Sequence, residues 1–180
     1  MAALVLGCGP KEEETVFRPD PLEEVKALFA ARPAGADSTA VVETDTTITY
    51  YLLPKNEFVP GEALFGAFSI DKRTILEGDL NQDGLEDAVV QYSFTPHLEN
   101  NTLIYFKVLL QEGGTLEEVG EIFGGGRCEG PILTPMEIKK GIIYFNSAEY
   151  APSDPCCCPS VHKNAAFKLE GGQLIATNEL

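Results

Sequence analysis

Short β-patterned runs, each bounded by turn residues, constrain the fold of this chain more than any other feature. The runs are rich in β-branched and aromatic residues, which favour strands of a half-buried sheet. They cover Thr46–Leu53, Ala88–Phe94, Leu103–Leu110, Leu116–Phe123, Ile142–Phe145, Ala165–Leu169 and Leu174–Ala176. Three turns between apolar runs contain glycine, which tolerates a positive φ, and they predict hairpins at Glu112–Thr115, Lys139–Gly141 and Glu170–Gln173.

Helical periodicity appears before these strands, from Pro19 to Arg32. Leu22, Val25 and Leu28 recur at a spacing of three, as on one face of a helix. At 180 residues the chain is long enough for one domain with a sizeable core. The sequence therefore predicts a single mainly β (α+β) domain over residues 19–180. We expect an antiparallel sandwich or a strongly twisted sheet, preceded by one N-terminal helix.

Net charge narrows the range of partners. The formal charge of −15 repels phosphate backbones and attracts cations. We therefore expect no nucleic-acid partner. The longest apolar run is far shorter than the roughly 20 residues that a membrane-spanning helix needs.

The N-terminal segment is apolar and runs into a cysteine. Residues Met1–Gly9 resemble the lipobox of bacterial lipoproteins, in which Cys8 would carry the lipid. That resemblance implies a truncated signal and a polar tether over residues 1–18, an exported protein of the bacterial cell envelope, and membrane contact only through the lipid at Cys8. The alternative is a cytoplasmic protein in which this cysteine occurs by chance.

One acidic loop has the spacing of a calcium site. In Asp79–Asp87, oxygen-bearing side chains occupy positions one, three, five and nine, and Gly84 at position six permits a sharp turn. Calcium takes six to eight oxygen ligands, which alternate positions of a tight loop can supply. The predicted ligands are Asp79, Asn81, Asp83, Asp87 and the main-chain carbonyl of Leu85.

This loop resembles the Asp-x-Asn-x-Asp-Gly core of EF-hand, dockerin and FG-GAP loops. An EF-hand has a bidentate Glu at position twelve, whereas this chain has Val90, and a strand-like run follows where an EF-hand has a helix. The departure favours a structural calcium ion that stabilises a hairpin over a calcium sensor. The alternative is an ordinary Asp/Asn/Gly turn with solvated acids.

The cysteines beyond Cys8 allow several chemistries. Cys128 and the consecutive Cys156, Cys157 and Cys158 form an even set, as expected for two disulfides in an exported protein. One of the three would then bridge to Cys128, leaving two buried or paired locally. The alternatives are a zinc or copper(I) site that includes His162, and a reactive redox pair.

The segment around the cysteine triplet carries a second resemblance. Asp154-Pro155 followed by the cysteines, Pro159 and Ser160 is similar to the Asp-Pro-x-Cys-Cys-Pro-Ser motif of bacterial lipoproteins of the LppP/LprE-like group. The functions of that group are largely unassigned, so the resemblance implies export, and no enzymatic role follows from it. The third cysteine, Cys156, departs from that pattern and leaves the cysteine pairing open.

No pattern in the sequence indicates catalysis. Neither His97 nor His162 lies in a motif that activates a Ser or Cys nucleophile. We therefore expect a non-enzymatic protein: a binding or structural module of the envelope with an unidentified envelope ligand. The alternative is a metal-binding or redox protein that acts through Cys156–Cys158.

Overall fold

Ten strands and one helix make up the described part of the chain. The computed structural model describes residues 18–30, 36–54, 66–97 and 100–178. The elements are α1 Pro21–Ala30, β1 Ala36–Glu43, β2 Thr47–Pro54, β3 Gly66–Gly78, β4 Asp87–Pro96, β5 Leu103–Glu112, β6 Thr115–Gly125, β7 Ile132–Lys139, β8 Ile142–Glu149, β9 Val161–Glu170 and β10 Gln173–Thr177.

The strands form two antiparallel sheets. The first has six strands in the order β1-β2-β3-β4-β5-β6, and the second has four in the order β10-β9-β8-β7. Within each sheet, every pairing joins strands that are consecutive in sequence. Between the sheets, β7 packs across β3 and β10 packs across β6. The predicted mainly β class is confirmed, and the arrangement is a β-sandwich. Within the described residues, no helix is long and apolar enough to cross a membrane.

The core between the sheets is aliphatic and aromatic. Phe106 from the first sheet and Phe145 from the second are fully buried, and their ring centroids lie 4.8 Å apart in an edge-to-face arrangement. Burying a side chain of this size contributes about 1.5–3 kcal/mol. Around them lie the buried residues Leu80, Val89, Val108, Leu110, Ile122, Leu133 and Ile143.

Helix α1 covers part of the outer face of the first sheet. Val25 is fully buried there, and the ring of Phe29 lies 5.0 Å from that of Tyr92. The helix begins at Pro21 rather than at the predicted Pro19. The carboxylate of Asp20 accepts a hydrogen bond from the N–H of Leu22 at 2.9 Å and so caps the N-terminus, and proline suits the first helical position.

Three strands lie outside the predicted runs. In β3, charged residues after Ile70 interrupt the apolar pattern, and the pairing with β4 shifts register between Ile70 and Ile75. In β7, Pro135 falls mid-strand, which is possible because an edge strand tolerates a missing N–H. The pairing of β7 with β8 shifts register just after this proline. β1 is also an edge strand. These sequences lack the alternation on which strand prediction depends.

All three predicted hairpins are present. They join β5 to β6, β7 to β8 and β9 to β10, and each turn contains residues with positive φ. The six turn residues are Gly113, Gly114, Lys140, Gly141, Gly171 and Gly172. Because the β3–β4 loop packs against the β7–β8 turn, these two connections lie at the same end of the sandwich.

Candidate functional sites at opposite ends of the sandwich

The β3–β4 loop, residues 79–86, is organised around its own polar side chains. Asp79 accepts hydrogen bonds from the main-chain N–H of Asp83 at 3.1 Å and of Gly84 at 2.9 Å. Asn81 also accepts a bond from the N–H of Asp83 at 3.1 Å, and Asp83 accepts one from Leu85 at 2.8 Å. The side-chain oxygens at positions one, three and five therefore turn into the loop.

The backbone makes this arrangement possible through two residues in the left-handed region. Gly84 has φ 87° and Gln82 has φ 63°. The glycine was predicted at this turn, since an L side chain is strained at such an angle. No feature of the sequence predicts a left-handed conformation at Gln82.

Asp87 attaches the loop to the sheet. Its side chain has no accessible surface, and it accepts hydrogen bonds from the N–H of Leu80 at 2.7 Å and of Gln111 at 2.9 Å. Burial raises the pKa of the Asp87 carboxyl; the N–H groups oppose that rise, while the nearby charge of Asp83 adds to it. This carboxylate thus bridges the loop to β5.

The loop supplies oxygen ligands of the kind that calcium prefers, although they already hold the loop together. No three His, Cys, Asp or Glu side chains are gathered as a metal site within the described residues. A carboxylate oxygen has more than one lone pair, so accepting an N–H bond leaves capacity for an ion. The donor chemistry of the loop is therefore compatible with calcium, while the geometry gathers no metal site among the described residues.

The surroundings of the loop come from the hairpins of the second sheet and from the N-terminal side of α1. Gln82, Lys140 and Lys168 are among the residues that line a cavity of about 340 Å³ beside the loop. Arg18, the last residue of the predicted tether, forms ion pairs of 2.7 Å with Glu77 and with Glu86. The chain therefore reaches the folded body next to the loop.

The second predicted site, the cysteine loop of residues 150–160, connects β8 to β9. Cys156 is the member of the triplet that pairs with Cys128, and their Cα atoms lie 4.7 Å apart. Cys157 pairs with its neighbour Cys158. All three triplet residues are exposed.

Polar side chains hold the cysteine loop in place. Asp154 accepts hydrogen bonds from the N–H of Ala151 at 2.7 Å and of Ser160 at 2.8 Å, and so joins the two ends of the loop. These bonds, together with one from the Ser160 hydroxyl, hold the pKa of Asp154 below its usual range. The hydroxyl of Tyr150 donates to the carbonyl of Cys156 at 3.2 Å.

Two basic residues lie near the cysteine loop in different places. His162 is exposed on β9, where it pairs with Ala148 and lines a cavity apart from the cysteines. Arg127 lines a shallow cavity of about 470 Å³ together with Cys128 and Cys156. The sequence singled out His162, whereas Arg127 is the basic residue that shares a cavity with these sulfurs.

A third polar cluster was missed from the sequence. On the outer face of the first sheet, Lys107 contacts Glu118 at 2.6 Å and Glu121 at 2.9 Å, and the Tyr92 hydroxyl donates to Glu121 at 2.6 Å. Burial alone would lower the pKa of Lys107, but its carboxylate partners outweigh this and raise it. The cluster is a satisfied structural network.

The two predicted sites lie at opposite ends of the sandwich. β8 runs from the turn beside the β3–β4 loop to the cysteine loop, and its eight residues span about 25 Å. The sites therefore do not border one cleft. Cys8 lies outside the described residues.

Comparisons with protein families, with characterised proteins and with solved structures gave no match. The class of the protein therefore rests on its own architecture, a two-sheet antiparallel β-sandwich with one short helix on an outer face.

Proposed function

We propose that this chain is a non-enzymatic binding or structural module of the bacterial cell envelope. It is exported, anchored by a lipid on Cys8, and stabilised by calcium in its β3–β4 loop. The observation that carries the calcium part is Asp87, a fully buried carboxylate that accepts N–H bonds from the loop and from β5. An ion held by this loop is thereby coupled to the sheet.

Charge supports a cation in the loop. Asp79, Asp83 and Asp87 bring three carboxylates into one short segment of a chain whose formal charge is −15. Acidic residues this close in sequence repel one another, and a divalent cation would offset that repulsion. Because calcium binds the folded loop and the unfolded chain lacks the site, binding adds to the free energy of unfolding.

Thermal unfolding of the full chain, with calcium and with a chelator, tests this part of the proposal. At free calcium about 100 times the dissociation constant, stability rises by about 2.7 kcal/mol. For a domain of this size that gain raises Tm by about 5–10 °C. Magnesium should have a smaller effect, because it keeps its waters and demands a tighter geometry.

A paired variant gives the control. The double substitution Asp79→Ala and Asp83→Ala should abolish the calcium-dependent rise in Tm. Asp45→Ala, at an exposed bend between β1 and β2, removes one negative charge elsewhere and should leave the rise intact. Identical melts of the native chain with calcium and with chelator would contradict calcium binding.

The anchor has a separate test and a geometric consequence. Labelled palmitate should be incorporated into the native chain and not into a Cys8→Ser variant, when each is expressed behind a complete signal peptide. Because Arg18 contacts Glu77 and Glu86, the segment that follows Cys8 joins the folded body at the end that carries the β3–β4 loop.

A second candidate function is thiol chemistry at Cys156–Cys158. It is favoured by the exposure of the triplet on a loop that polar side chains hold in place. Intact mass before and after thiol alkylation separates its two forms. Two quantitative disulfides would defeat the metal-thiolate form, and stoichiometric zinc or copper would defeat the disulfide form.

A further inference from the structure

The two cysteine pairs differ in what they do for the folded chain. Cys128 and Cys156 are 28 positions apart, so their bond restricts a substantial loop in the unfolded chain. Cys157 and Cys158 are adjacent, so their bond closes no loop of intervening residues. By this mechanism the adjacent pair contributes little to stability.

The shape of the cysteine loop depends on other interactions. Asp154 joins the two ends of the loop through Ala151 and Ser160, and the N–H of Cys158 donates to the carbonyl of Pro155 at 3.0 Å in a tight turn. None of these bonds involves a sulfur atom. Reduction of that pair should therefore leave the loop folded.

Access is the third observation. Cys157 and Cys158 are exposed at the end of the sandwich away from the β3–β4 loop, so an external thiol can reach them. The formal charge of −15 disfavours the approach of an anionic thiolate. Arg127, which borders the neighbouring Cys128–Cys156 pair, places a positive charge at this end.

We propose that the Cys157–Cys158 disulfide is a thiol–disulfide exchange site for an external dithiol, such as a reduced Cys-x-x-Cys oxidoreductase. A thiolate of the dithiol attacks one sulfur of the pair, forms a mixed disulfide, and releases the other sulfur as a thiolate that takes up a proton. The second thiol of the dithiol then attacks the mixed disulfide and releases the remaining cysteine. The dithiol is oxidised to a disulfide, and the pair gains two electrons and two protons.

This inference rests on the second candidate function and narrows it to one bond and one class of partner. It is independent of the calcium part of the proposal. A chain that binds calcium and does not exchange disulfides would defeat only the present inference.

The native full chain, incubated with graded ratios of reduced to oxidised dithiothreitol without denaturant, gives the test. Acid quenching, alkylation and peptide mapping then locate each thiol. We expect Cys157 and Cys158 to be reduced at a ratio at least about tenfold lower than Cys128 and Cys156. All four cysteines are exposed, so the difference comes from what each bond stabilises. Tm should change by less than about 2 °C on reducing the adjacent pair alone.

Two double variants supply the controls. Replacing Cys157 and Cys158 by Ser should abolish the early release of two thiols and leave Tm unchanged. Replacing Cys128 and Cys156 by Ser should lower Tm and preserve the early release. Reduction of all four cysteines together, reduction of the Cys128–Cys156 pair first, or free thiols at 157 and 158 in the untreated protein would overturn the proposal.

Discussion

Asp87→Ala should be among the most damaging single substitutions in the β3–β4 region, even when calcium is absent. The native carboxylate is fully buried and accepts hydrogen bonds from the N–H groups of Leu80 and Gln111. Alanine leaves both groups without this acceptor. An unsatisfied buried donor costs about 1–3 kcal/mol, so two cost about 2–6 kcal/mol.

One term opposes this loss. Burial raises the pKa of Asp87 because it disfavours the charged form of the carboxyl. Alanine removes this unfavourable contribution to the stability of the folded chain. We therefore expect a loss of about 3 kcal/mol, in the lower half of the range. For a domain of this size that loss corresponds to a fall in Tm of about 6–12 °C.

Urea denaturation in the presence of a chelator, with the disulfides kept oxidised, measures the loss apart from calcium. Asp83→Ala is the matched control, because its carboxylate also accepts a main-chain N–H bond, from Leu85, but at an exposed position. Water can replace that bond, so the control should lose less than about 1 kcal/mol. Equal losses in the two variants, or a loss below about 1 kcal/mol for Asp87→Ala, would refute the role assigned to burial.

Three further substitutions test the packing and the polar network, each by urea denaturation. Gly78→Ala places a Cβ 2.8 Å from the Cβ of Ile138 on the facing sheet, and this overpacking should cost about 1–3 kcal/mol; an unchanged midpoint would contradict the close approach. Tyr92→Phe removes the hydrogen bond to Glu121 and should cost about 1.5 kcal/mol, whereas a neutral result would mean that solvent replaces the bond. Hydrogen bonds lower the pKa of Asp154 in the folded chain, so its contribution to the free energy of unfolding is complete above the unfolded pKa and is lost as pH falls through the folded pKa. The difference in stability between the native chain and Asp154→Asn should therefore shrink below about pH 4. A difference that stays constant with pH would contradict the lowered pKa.

Local sequence patterns were sufficient for much of the architecture. The hairpins at Glu112–Thr115, Lys139–Gly141 and Glu170–Gln173 are present, because a glycine-containing turn between two apolar runs is specified by neighbouring residues. The helix was predicted from the spacing of its apolar residues and was misplaced at its start. Asp20 and Pro21 carry an N-cap signal that would have corrected it.

Strands that depend on long-range pairing were harder to predict. β3 continues past its charged residues because β4 resumes pairing with it from Ile75 to Gly78, whereas the pairing with β2 ends at Asp71. β7 includes Pro135 because it is an edge strand. In both cases the neighbouring strand, rather than the local sequence, decides whether the segment is extended. The sequence shows where the alternation of apolar and polar residues is interrupted, but only the sheet shows that the strand continues through the interruption.

The candidate sites divide in the same way. The sequence alone determined the composition of the β3–β4 loop, the left-handed Gly84 at its turn, and the presence of a cysteine cluster near the C-terminus. Each depends on residues within a few positions of one another, whose geometry short-range sterics restrict.

Only the tertiary structure decided which cysteines pair, which acid is buried and how far apart the two sites lie. Cys156 meets Cys128 because β6 and β8 end on the same side of the sandwich, and Asp87 is buried because β5 lies beside it. Such contacts join residues distant in sequence, and sheet packing sets them. The same packing places the β3–β4 loop and the Cys157–Cys158 pair at opposite ends, so calcium binding and thiol exchange can be tested separately.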